Sequence, residues 1–357
     1  MDTIAYLVYG NRLEYQLELT YSVLSAAHFI KNDPSQWRIV LITSAHSPRY
    51  DLPVEHLFYT EDEFTAWTRG GTYMHKAKVH ALSKAVNHYK SRVALIDTDT
   101  AFLAHPATLF QKVGPGKSVM HALDGTLENH AYWQPLLEKI TGSVSGFEVN
   151  ESSRMLNSGV VGIDYADKEL LNKVCDFIDA LQAISPVFDI EQFAFGTVLD
   201  RFTSLSTCPE TVRHYWGYER AFFHSQIAEL FPEFSPDRFN RYVSNPPKLV
   251  GFPPKRLTDQ VRARIVAKLR RQGADYRFAY LAYLSALSSR ATSQRNANAW
   301  ATVAVRSLQR QNLDAPYVQR DFRGLARPDE CTWMNADTVR LCSHYWRELN
   351  LRQKSSS

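Results

Sequence analysis

The sequence predicts an α/β fold with a mostly parallel sheet flanked by helices, followed by a basic, mainly helical C-terminal region. Three observations support this prediction. The first two hundred residues alternate short apolar runs of strand length with longer segments of helical spacing. The short runs are apolar at nearly every position, as in parallel strands that are covered on both faces. Beyond residue 250 the pattern becomes helical and strongly basic.

The predicted elements follow in chain order. Residues 4–9 form an apolar strand, and residues 14–31 have the spacing of a helix. A second helix is predicted where Val79, Leu82 and Val86 fall on one face. In such folds ligands bind beyond the carboxyl ends of the strands, so an acid just after a strand is well placed for chemistry. Further strands are predicted at 38–43, 54–59, 93–96, 119–123 and 160–163.

The composition is that of an ordinary globular protein. The 357 residues are 45% hydrophobic and 22% charged, which excludes fibrous, disordered and disulfide-scaffold classes. The four cysteines lie far apart, so neither a zinc site nor a disulfide framework is expected. Asp2 stands where a secretory signal has basic residues, and the longest membrane-like run, residues 278–287, is about half a bilayer span. We therefore expect a cytoplasmic protein.

The charge is distributed unevenly along the chain. Residues 255–310 contain twelve basic and two acidic residues, a net charge of +10, whereas the rest of the chain has 29 basic and 35 acidic residues, a net charge of −6. Prolines cluster around residues 246–254, as in a connecting segment. The sequence therefore predicts a domain at 1–250 and a basic, mainly helical region at 251–357.

The first candidate motif follows the apolar run 93–96. Asp97 and Asp99 are two residues apart at the end of a predicted strand. Paired carboxylates in that position can hold one hard divalent cation, and such a cation can neutralise a diphosphate. A solvated turn is the structural alternative for Asp-x-Asp.

Three further segments contain candidate functional residues. His214, Gly217 and Arg220 suit a loop that folds over an anion, with a metal-binding imidazole, a glycine for close backbone approach and a fixed cation. The amide and hydroxyl groups of residues 157–159 (Asn-Ser-Gly) suit sugar hydroxyls, although a plain turn has the same residues. Asp189, Glu191 and Gln192 precede a helical run, where the helix dipole also favours acids.

Taken together, these segments resemble the metal-dependent, retaining glycosyltransferases of the GT-A fold, the family of glycogenin and the lipo-oligosaccharide galactosyltransferases. Members of this family have a Rossmann-like sheet with a strand ending in Asp-x-Asp, followed by Leu-Asn-Ser-Gly, an acidic-Gln helix start and His-x-x-Gly-x-x-Lys. This chain supplies the motifs in that order over about residues 3–225, with Arg220 in place of the usual lysine. The motifs are Asp97-Thr98-Asp99, Leu156-Asn157-Ser158-Gly159, Glu191-Gln192 and His214-x-x-Gly217-x-x-Arg220.

The resemblance implies a transferase that moves a sugar, expected to be a hexose, from a nucleotide-diphosphate sugar to a glycan, lipid-linked or other acceptor. The expected donor is a UDP-sugar, and residues 1–250 are the implied nucleotide-sugar-binding catalytic domain. Asp97, Asp99 and His214 are the implied ligands of Mn²⁺ or Mg²⁺, which acts as a Lewis acid on the departing diphosphate. Retention of anomeric configuration is implied as well, and no nucleophile is named.

The resemblance also assigns roles to the remaining candidates. Arg220 and Lys78 are implied to face the donor phosphates. Lys76 is a rival to Lys78, because Lys78 lies a few residues further from Asp97 than the family pattern leads us to expect. Residues 9–10 are implied to hold the base and ribose, and Gly217 to approach the diphosphate. The residues implied to contact the sugar are Asn157, Asp189, Glu191 and Gln192, and those implied for the base and ribose are Tyr9 and Gly10.

Other functions remain open at the level of sequence. A nucleotide-sugar-binding protein without turnover would keep the same fold and motifs. A haloacid-dehalogenase-like phosphatase also has Asp-x-Asp after a strand, but in its first strand, whereas here the motif lies near residue 100 and Ala101 occupies the position of the expected Thr or Val. Nucleic-acid binding rests on the basic segment alone and is not expected.

The basic segment suggests a surface helix on an anionic membrane, at the inner face of the bilayer and near a lipid-linked acceptor. Positive charge there stands beside aromatic side chains at helical spacing. The alternative is that these aromatic and apolar residues pack a helical subdomain whose exposed face is basic. The residues in question are Tyr276, Phe278, Tyr280, Tyr283 and Leu287.

Overall fold

The structure, a computed structural model, describes residues 1–10, 12–47, 51–130, 133–184, 187–311, 318, 320–328 and 331–356. The chain forms two compact units. Unit 1 comprises residues 1–214 and 233–247, and unit 2 comprises residues 215–232 and 248–357. The division predicted at residue 250 lies close to the third crossing of the chain between the units, after residue 247. The sequence did not predict that residues 215–232 join the basic C-terminal region.

Unit 1 is an α/β unit built on a mostly parallel sheet of seven strands, in the order β12-β6-β11-β4-β1-β2-β3. Its strands β1, β2, β3 and β4 are mutually parallel, β12 is parallel to β6, and β11 runs antiparallel to both β4 and β6. The strands described in the chain are Asp2–Leu7 (β1), Trp37–Ser44 (β2), Glu55–Tyr59 (β3), Val93–Ile96 (β4), Thr100–Phe102 (β5), Lys117–Met120 (β6), Leu123–Thr126 (β7), Gly142–Val144 (β8), Phe147–Val149 (β9), Arg154–Leu156 (β10), Val160–Ile163 (β11), Ser204–Thr207 (β12) and Val212–His214 (β13).

The helices follow the predicted alternation with strands. The predicted helix at 14–31 is observed one residue earlier, and the second predicted helix contains Val79, Leu82 and Val86 as fully buried residues. The described α-helices are Leu13–Ile30 (α1), Glu61–Trp67 (α2), Lys76–Tyr89 (α3), Ala107–Phe110 (α4), Leu137–Ile140 (α5), Leu170–Ile184 (α6), Ile190–Phe202 (α7), Arg220–Leu230 (α8), Pro236–Ser244 (α9), Leu257–Leu269 (α10), Ala274–Ser289 (α11), Gln294–Gln309 (α12), Arg323–Ala326 (α13) and Ala336–Ser356 (α14).

The central strands β4 and β11 form where the sequence is apolar at every position. All four residues of β4 and all four of β11 are buried, as expected for strands covered on both faces. The predicted strand at 119–123 is wrong in extent, because the chain leaves the main sheet at His121. There the backbone N–H of His121 donates to the carbonyl of Asn157, and the chain continues into β7, which pairs with β10 in a separate two-stranded sheet.

The topology gathers several chain segments at one edge of the main sheet. The parallel strands β1 and β4 both end there, and the antiparallel strand β11 begins there, with Val160 opposite Ile96. The backbone N–H of Asp97 donates to the carbonyl of Gly159 at 2.9 Å. The residues after β4 and those before β11 are therefore neighbours, although about sixty positions separate them in sequence.

Unit 2 is helical and has its own hydrophobic core. Helices α11 and α12 pack against each other, and α10 packs on α11. Trp300 is the largest fully buried side chain of this core. Lys255 lies among aromatic rings, with its ammonium about 5 Å from the ring centres of Phe252, Phe278 and Trp300. Within the described ranges, no helix combines the length and apolar character that crossing a bilayer requires.

Candidate metal centre

Two carboxylates follow the buried strand β4 in a tight turn. The hydroxyl of Thr100 donates to the backbone carbonyl of Asp97 at 2.7 Å and holds the turn closed. Asp99 is buried, and the side chain of Asp97 is about a quarter exposed. The turn therefore presents both carboxylates at the carboxyl end of a parallel strand, where α/β folds bind ligands.

A short strand pair brings the imidazole of His214 to these carboxylates. Strand β13 pairs with β5 in antiparallel register, and His214 stands opposite Thr100. Its Nε2 lies 3.2 Å from Oδ1 of Asp99 and 3.9 Å from Oδ2 of Asp97. The pairing register thus joins residues that are 115 positions apart.

Asn157 fixes the orientation of His214. Its Oδ1 lies 2.8 Å from Nδ1 of His214 and also accepts the backbone N–H of Gly159 at 2.9 Å. Because an amide oxygen only accepts, Nδ1 of His214 donates the proton, and the lone pair of a neutral imidazole is then on Nε2. This is the nitrogen that faces the two carboxylates, as a metal-binding histidine requires.

Gly159 makes room for the imidazole. A Cβ added at this glycine would lie 2.2 Å from Nδ1 of His214, far closer than real Cβ atoms approach. Glycine is therefore required in the Asn-Ser-Gly segment by the close approach of a side chain from a distant strand. The same segment supplies the hydrogen bond from Asn157 and the space that His214 occupies.

Asp97, Asp99 and His214 have the donor set of a divalent cation site. One ligand atom from each of the three residues can be chosen so that all lie within 4.8 Å of one another. Two carboxylate oxygens and a neutral imidazole nitrogen suit Mn²⁺ or Mg²⁺, with water or phosphate oxygens completing the coordination. The residues present thus fit the metal that the sequence predicted.

The carboxylates raise the pKa of His214. Burial alone opposes protonation of this imidazole, but the negative charges of Asp99 and then Asp97 outweigh it, so the pKa of His214 lies above its usual value. The same negative field that favours a proton on Nε2 favours a cation in its place.

Lys78 lies behind the carboxylates as an internal counter-charge. Its ammonium is 2.9 Å from Oδ2 of Asp97 and 3.3 Å from Oε1 of Glu191, and it donates to the hydroxyl and carbonyl of Ser158. Burial opposes its charge, but Asp97 and Glu191 raise the pKa of Lys78 above its usual value. Lys78 also lowers the pKa of Glu191, against the opposing effect of burial. Lys78 thus bonds to groups of the chain itself, and its expected contact with a phosphate remains a prediction.

Glu191, predicted to contact the sugar, is buried and bonded to other groups of the chain. Its carboxylate is buried and accepts hydrogen bonds from Lys78 and from the hydroxyl of Ser158 at 2.7 Å. Its backbone N–H donates to the hydroxyl of Tyr73. Gln192 is half-buried beside it, and its Oε1 accepts the backbone N–H of Ser158 at 3.2 Å.

Asp189 is held apart from this network by other partners. The indole N–H of Trp133 donates to its Oδ1 at 2.7 Å, and Nε2 of His130 lies 3.3 Å from its Oδ2. Burial raises the pKa of Asp189, although His130 and the Trp133 hydrogen bond oppose that change. Both carboxylate oxygens of Asp189 are therefore engaged by side chains other than the predicted metal ligands.

The side chains of Lys76 and Lys78 bind different carboxylates. Its ammonium pairs with Asp179 at 2.7 Å, so of the two lysines proposed from sequence only Lys78 reaches the carboxylates. Tyr9 follows β1 at the same sheet edge. Burial raises the pKa of Tyr9 to about 12; the charge of Lys78 opposes this change, and the charges of Asp97 and Glu191 add to it. Gly10, next to it, is exposed and has a positive φ of 78°.

Gly217 and Arg220 belong to unit 2, which the chain enters directly after His214. Gly217 has a φ of 80°, a left-handed conformation that favours glycine, and Arg220 is the first residue of α8. Their assigned contacts with a diphosphate remain predictions.

Sequence reasoning missed Asp124 at this edge. The carboxylate oxygen Oδ2 of Asp124 accepts from the side-chain amides of Asn157 at 3.0 Å and Gln192 at 3.4 Å. Asp124 is exposed in β7, and its only sequence signal was an Asp-Gly pair, which reads as an ordinary turn. An exposed carboxylate, two amides and the candidate metal ligands thus form a continuous polar rim.

Comparison with protein-family models gives no match, and no curated protein matches the chain either.

Proposed function

We propose that this protein is a metal-dependent glycosyltransferase with a GT-A-type catalytic unit, which transfers a sugar from a nucleotide-diphosphate sugar, with a UDP-sugar as the first donor to test. The proposed acceptor is a glycan or a lipid-linked saccharide. The proposal rests on the resemblance of the four ordered motifs and on the contacts that join side chains of these motifs at the end of β4.

One observation carries the proposal. Asp97 and Asp99 lie in one turn and His214 in a strand 115 positions from Asp99, yet their ligand atoms converge at the carboxyl end of a parallel strand. The hydrogen bond from His214 to Asn157 ties the histidine motif to the Asn-Ser-Gly motif, and the Lys78–Glu191 pair ties in the acidic-Gln motif. A chance set of sequence motifs has no reason to be joined by such side-chain contacts.

The chain's own residues suit a diphosphate donor. A bound Mn²⁺ or Mg²⁺ would supply Lewis-acid stabilisation of the departing nucleoside diphosphate. Asp97, Asp99 and His214 would hold that ion, while Asn157 keeps Nε2 of His214 directed at it. Lys78 offsets part of the carboxylate charge, so that the site remains anionic without excessive repulsion.

The polar rim suits the hydroxyl groups of a sugar. Asp124 offers an exposed carboxylate, and Gln192 and Asn157 offer amide groups beside it. Sugar hydroxyls both donate and accept hydrogen bonds, so a rim that mixes carboxylate and amide groups can bind them in a defined orientation. In this proposal Glu191 positions Lys78 and Ser158 and does not contact the sugar.

The test is release of nucleoside diphosphate from a panel of nucleotide sugars, with Mn²⁺, with Mg²⁺ and with a chelator. We expect metal-dependent release, and we expect Asp99→Asn and His214→Ala each to lower it at least a hundredfold because a ligand of the ion is lost. His105→Ala is the matched control, since Nε2 of His105 also faces an aspartate, Asp33, at 3.5 Å in unit 1.

Three outcomes decide the proposal. Metal-dependent release that fails only in the two ligand variants supports it. Release that persists in Asp99→Asn and His214→Ala contradicts the site assignment. Metal-dependent binding of a nucleotide sugar without release, across a panel of saccharide acceptors, identifies a nucleotide-sugar-binding protein of the same fold instead.

A further inference from the structure

Helix α10 of unit 2 exposes a stripe of aliphatic side chains. The stripe consists of Leu257, Val261, Ile265 and Leu269, which are 74%, 45%, 54% and 75% exposed. Successive members are four residues apart, so they lie one above another along one side of the helix. A soluble helix normally turns such a stripe toward the core, and here it faces outward.

The opposite side of α10 already has its packing partner. Ala263 and Ala267 are buried in the core of unit 2, and the hydroxyl of Ser288 in α11 donates to Asp259 at 2.7 Å. Asp259 is the only acid within α10. The helix therefore faces its neighbour with small residues and its acid, and its aliphatic side chains remain outside.

Basic residues border the aliphatic stripe. Arg262, Arg264 and Lys268 lie in α10, and Arg256 and Arg271 lie just before and after it; all five are exposed. Among the residues that the structure describes, none of the five forms an ion pair. An aliphatic surface rimmed by unneutralised cations is the composition of an interfacial membrane helix.

We infer that α10 docks unit 2 onto an anionic lipid bilayer. The aliphatic stripe would enter the boundary between head groups and acyl chains, and the arginines and lysine beside it would meet lipid phosphates. The long basic side chains can reach the head groups while their methylene stems cover apolar surface.

Two other occupants fit the surface less well. A second copy of the chain would bring two rims of like charge together, and repulsion would oppose contact between the stripes. Nucleic acid would satisfy the cations but would leave the four aliphatic side chains in water, since bases stack on aromatic rings. An anionic bilayer satisfies both features at once.

The docking helix lies in the basic segment 255–310, but it is not the helix that contains the aromatic residues singled out from the sequence. Tyr276, Tyr280 and Tyr283 of α11 are buried in the core of unit 2, and Phe278 and Leu287 are partly buried against it. The alternative interpretation, that these side chains pack a helical subdomain, is therefore confirmed for α11. The membrane inference rests instead on α10, whose exposure only the structure reveals.

The test is co-sedimentation of the full chain with vesicles of phosphatidylcholine alone and of phosphatidylcholine with phosphatidylglycerol. We expect binding to the anionic vesicles at low salt, weakened at high salt because exposed charges are screened. Leu257→Gln/Ile265→Gln should lower the partition coefficient at least tenfold, and Arg264→Gln/Lys268→Gln about tenfold. The experiment contains neither metal nor nucleotide sugar, so its outcome is independent of the proposed activity.

Two control variants test whether a loss of vesicle binding is specific to the stripe and the positive charge of α10. Leu13→Gln changes an aliphatic side chain of unit 1 that is 59% exposed, and Arg264→Lys keeps the charge; both should bind as the unchanged chain does. No binding to anionic vesicles at low salt overturns the inference, as does equal binding by the stripe variant. Concentration-dependent dimerisation in analytical ultracentrifugation, abolished in the stripe variant, would assign the surface to self-association and also overturn it.

Discussion

Each unit contains a cluster of charged side chains, but the ratio of carboxylates to basic groups differs between the two clusters. At the end of β4 in unit 1, Lys78 pairs with the carboxylates of Asp97 and Glu191, and a third carboxylate, that of Asp99, lies beside His214. In unit 2 a single carboxylate, Asp321, accepts two hydrogen bonds from the guanidinium of Arg270 and one from the hydroxyl of Tyr276.

The difference separates a cluster in which carboxylates outnumber the lysine from a carboxylate that the chain itself neutralises. Arg270 binds both oxygens of Asp321, at 2.7 and 2.6 Å, and exposed Arg320 lies 3.5 Å away, so this carboxylate is neutralised by the chain itself. In unit 1 the repulsion between Asp97 and Asp99 is only partly offset by Lys78. An excess of converging carboxylates, and not the mere presence of buried charge, is what indicates a functional site.

The largest expected effect concerns Lys78. Lys78→Met removes the cation between Asp97 and Glu191, and we expect the free energy of unfolding to fall by about 3–5 kcal/mol because buried carboxylates lose their partner. Urea denaturation measures this change. The matched control is Lys76→Met, two residues away in α3, whose partner Asp179 is 40% exposed and can be hydrated; its loss should be below about 1 kcal/mol. Equal losses in the two variants would contradict the role given to Lys78.

The second largest expected effect is the change in stability of the protein when Mn²⁺ is added. Mn²⁺ at about a hundred times its dissociation constant should stabilise the protein by about 2.7 kcal/mol, because it binds only the folded state. Thermal unfolding with and without the ion measures this. Asp99→Asn should lose the effect and Asp321→Asn should keep it, since only the first carboxylate belongs to the unbalanced cluster. A metal response that depends on Asp321 would refute the comparison.

A smaller effect is expected at Asn157, which orients the candidate ligand His214. Asn157→Ala removes the acceptor of the Nδ1 proton, and we expect metal affinity to fall by about 10- to 100-fold while the ligands themselves remain. Calorimetric titration with Mn²⁺ provides the affinity. Asn150→Ala, which changes an exposed loop asparagine of the same unit, should leave it unaltered.

The smallest effect is the pH dependence that Glu191 confers. Its pKa is lowered in the folded chain, so its ionised form contributes stability above its usual pKa, and that contribution disappears as the pH falls through the lowered value. Denaturation midpoints between about pH 6 and pH 3 should therefore decline less steeply in Glu191→Gln than in the unchanged chain. Parallel curves would show that Glu191 is not held as a carboxylate by Lys78.

Several parts of the fold and site could be predicted locally. Strands β4 and β11 have the bounds that their apolar runs predicted, because a fully buried strand is apolar at every position. Asp97 and Asp99 could be found because the motif directly follows such a strand. The end of β6 could not be predicted, since the chain leaves the sheet where His121 bonds the backbone of Asn157, a partner far along the chain.

The alternation of apolar strands and helices, the acidic turn after β4 and the basic character of the C-terminal region were determined by the sequence alone, because each depends on residues that are close together in the chain. The tertiary structure decided that Lys78 bonds Glu191 and Ser158, that Asp124 joins the polar rim, and that α10 and not α11 exposes its apolar side. The physical reason is that a side chain's partners and exposure are set by packing between distant segments, which no local spacing encodes.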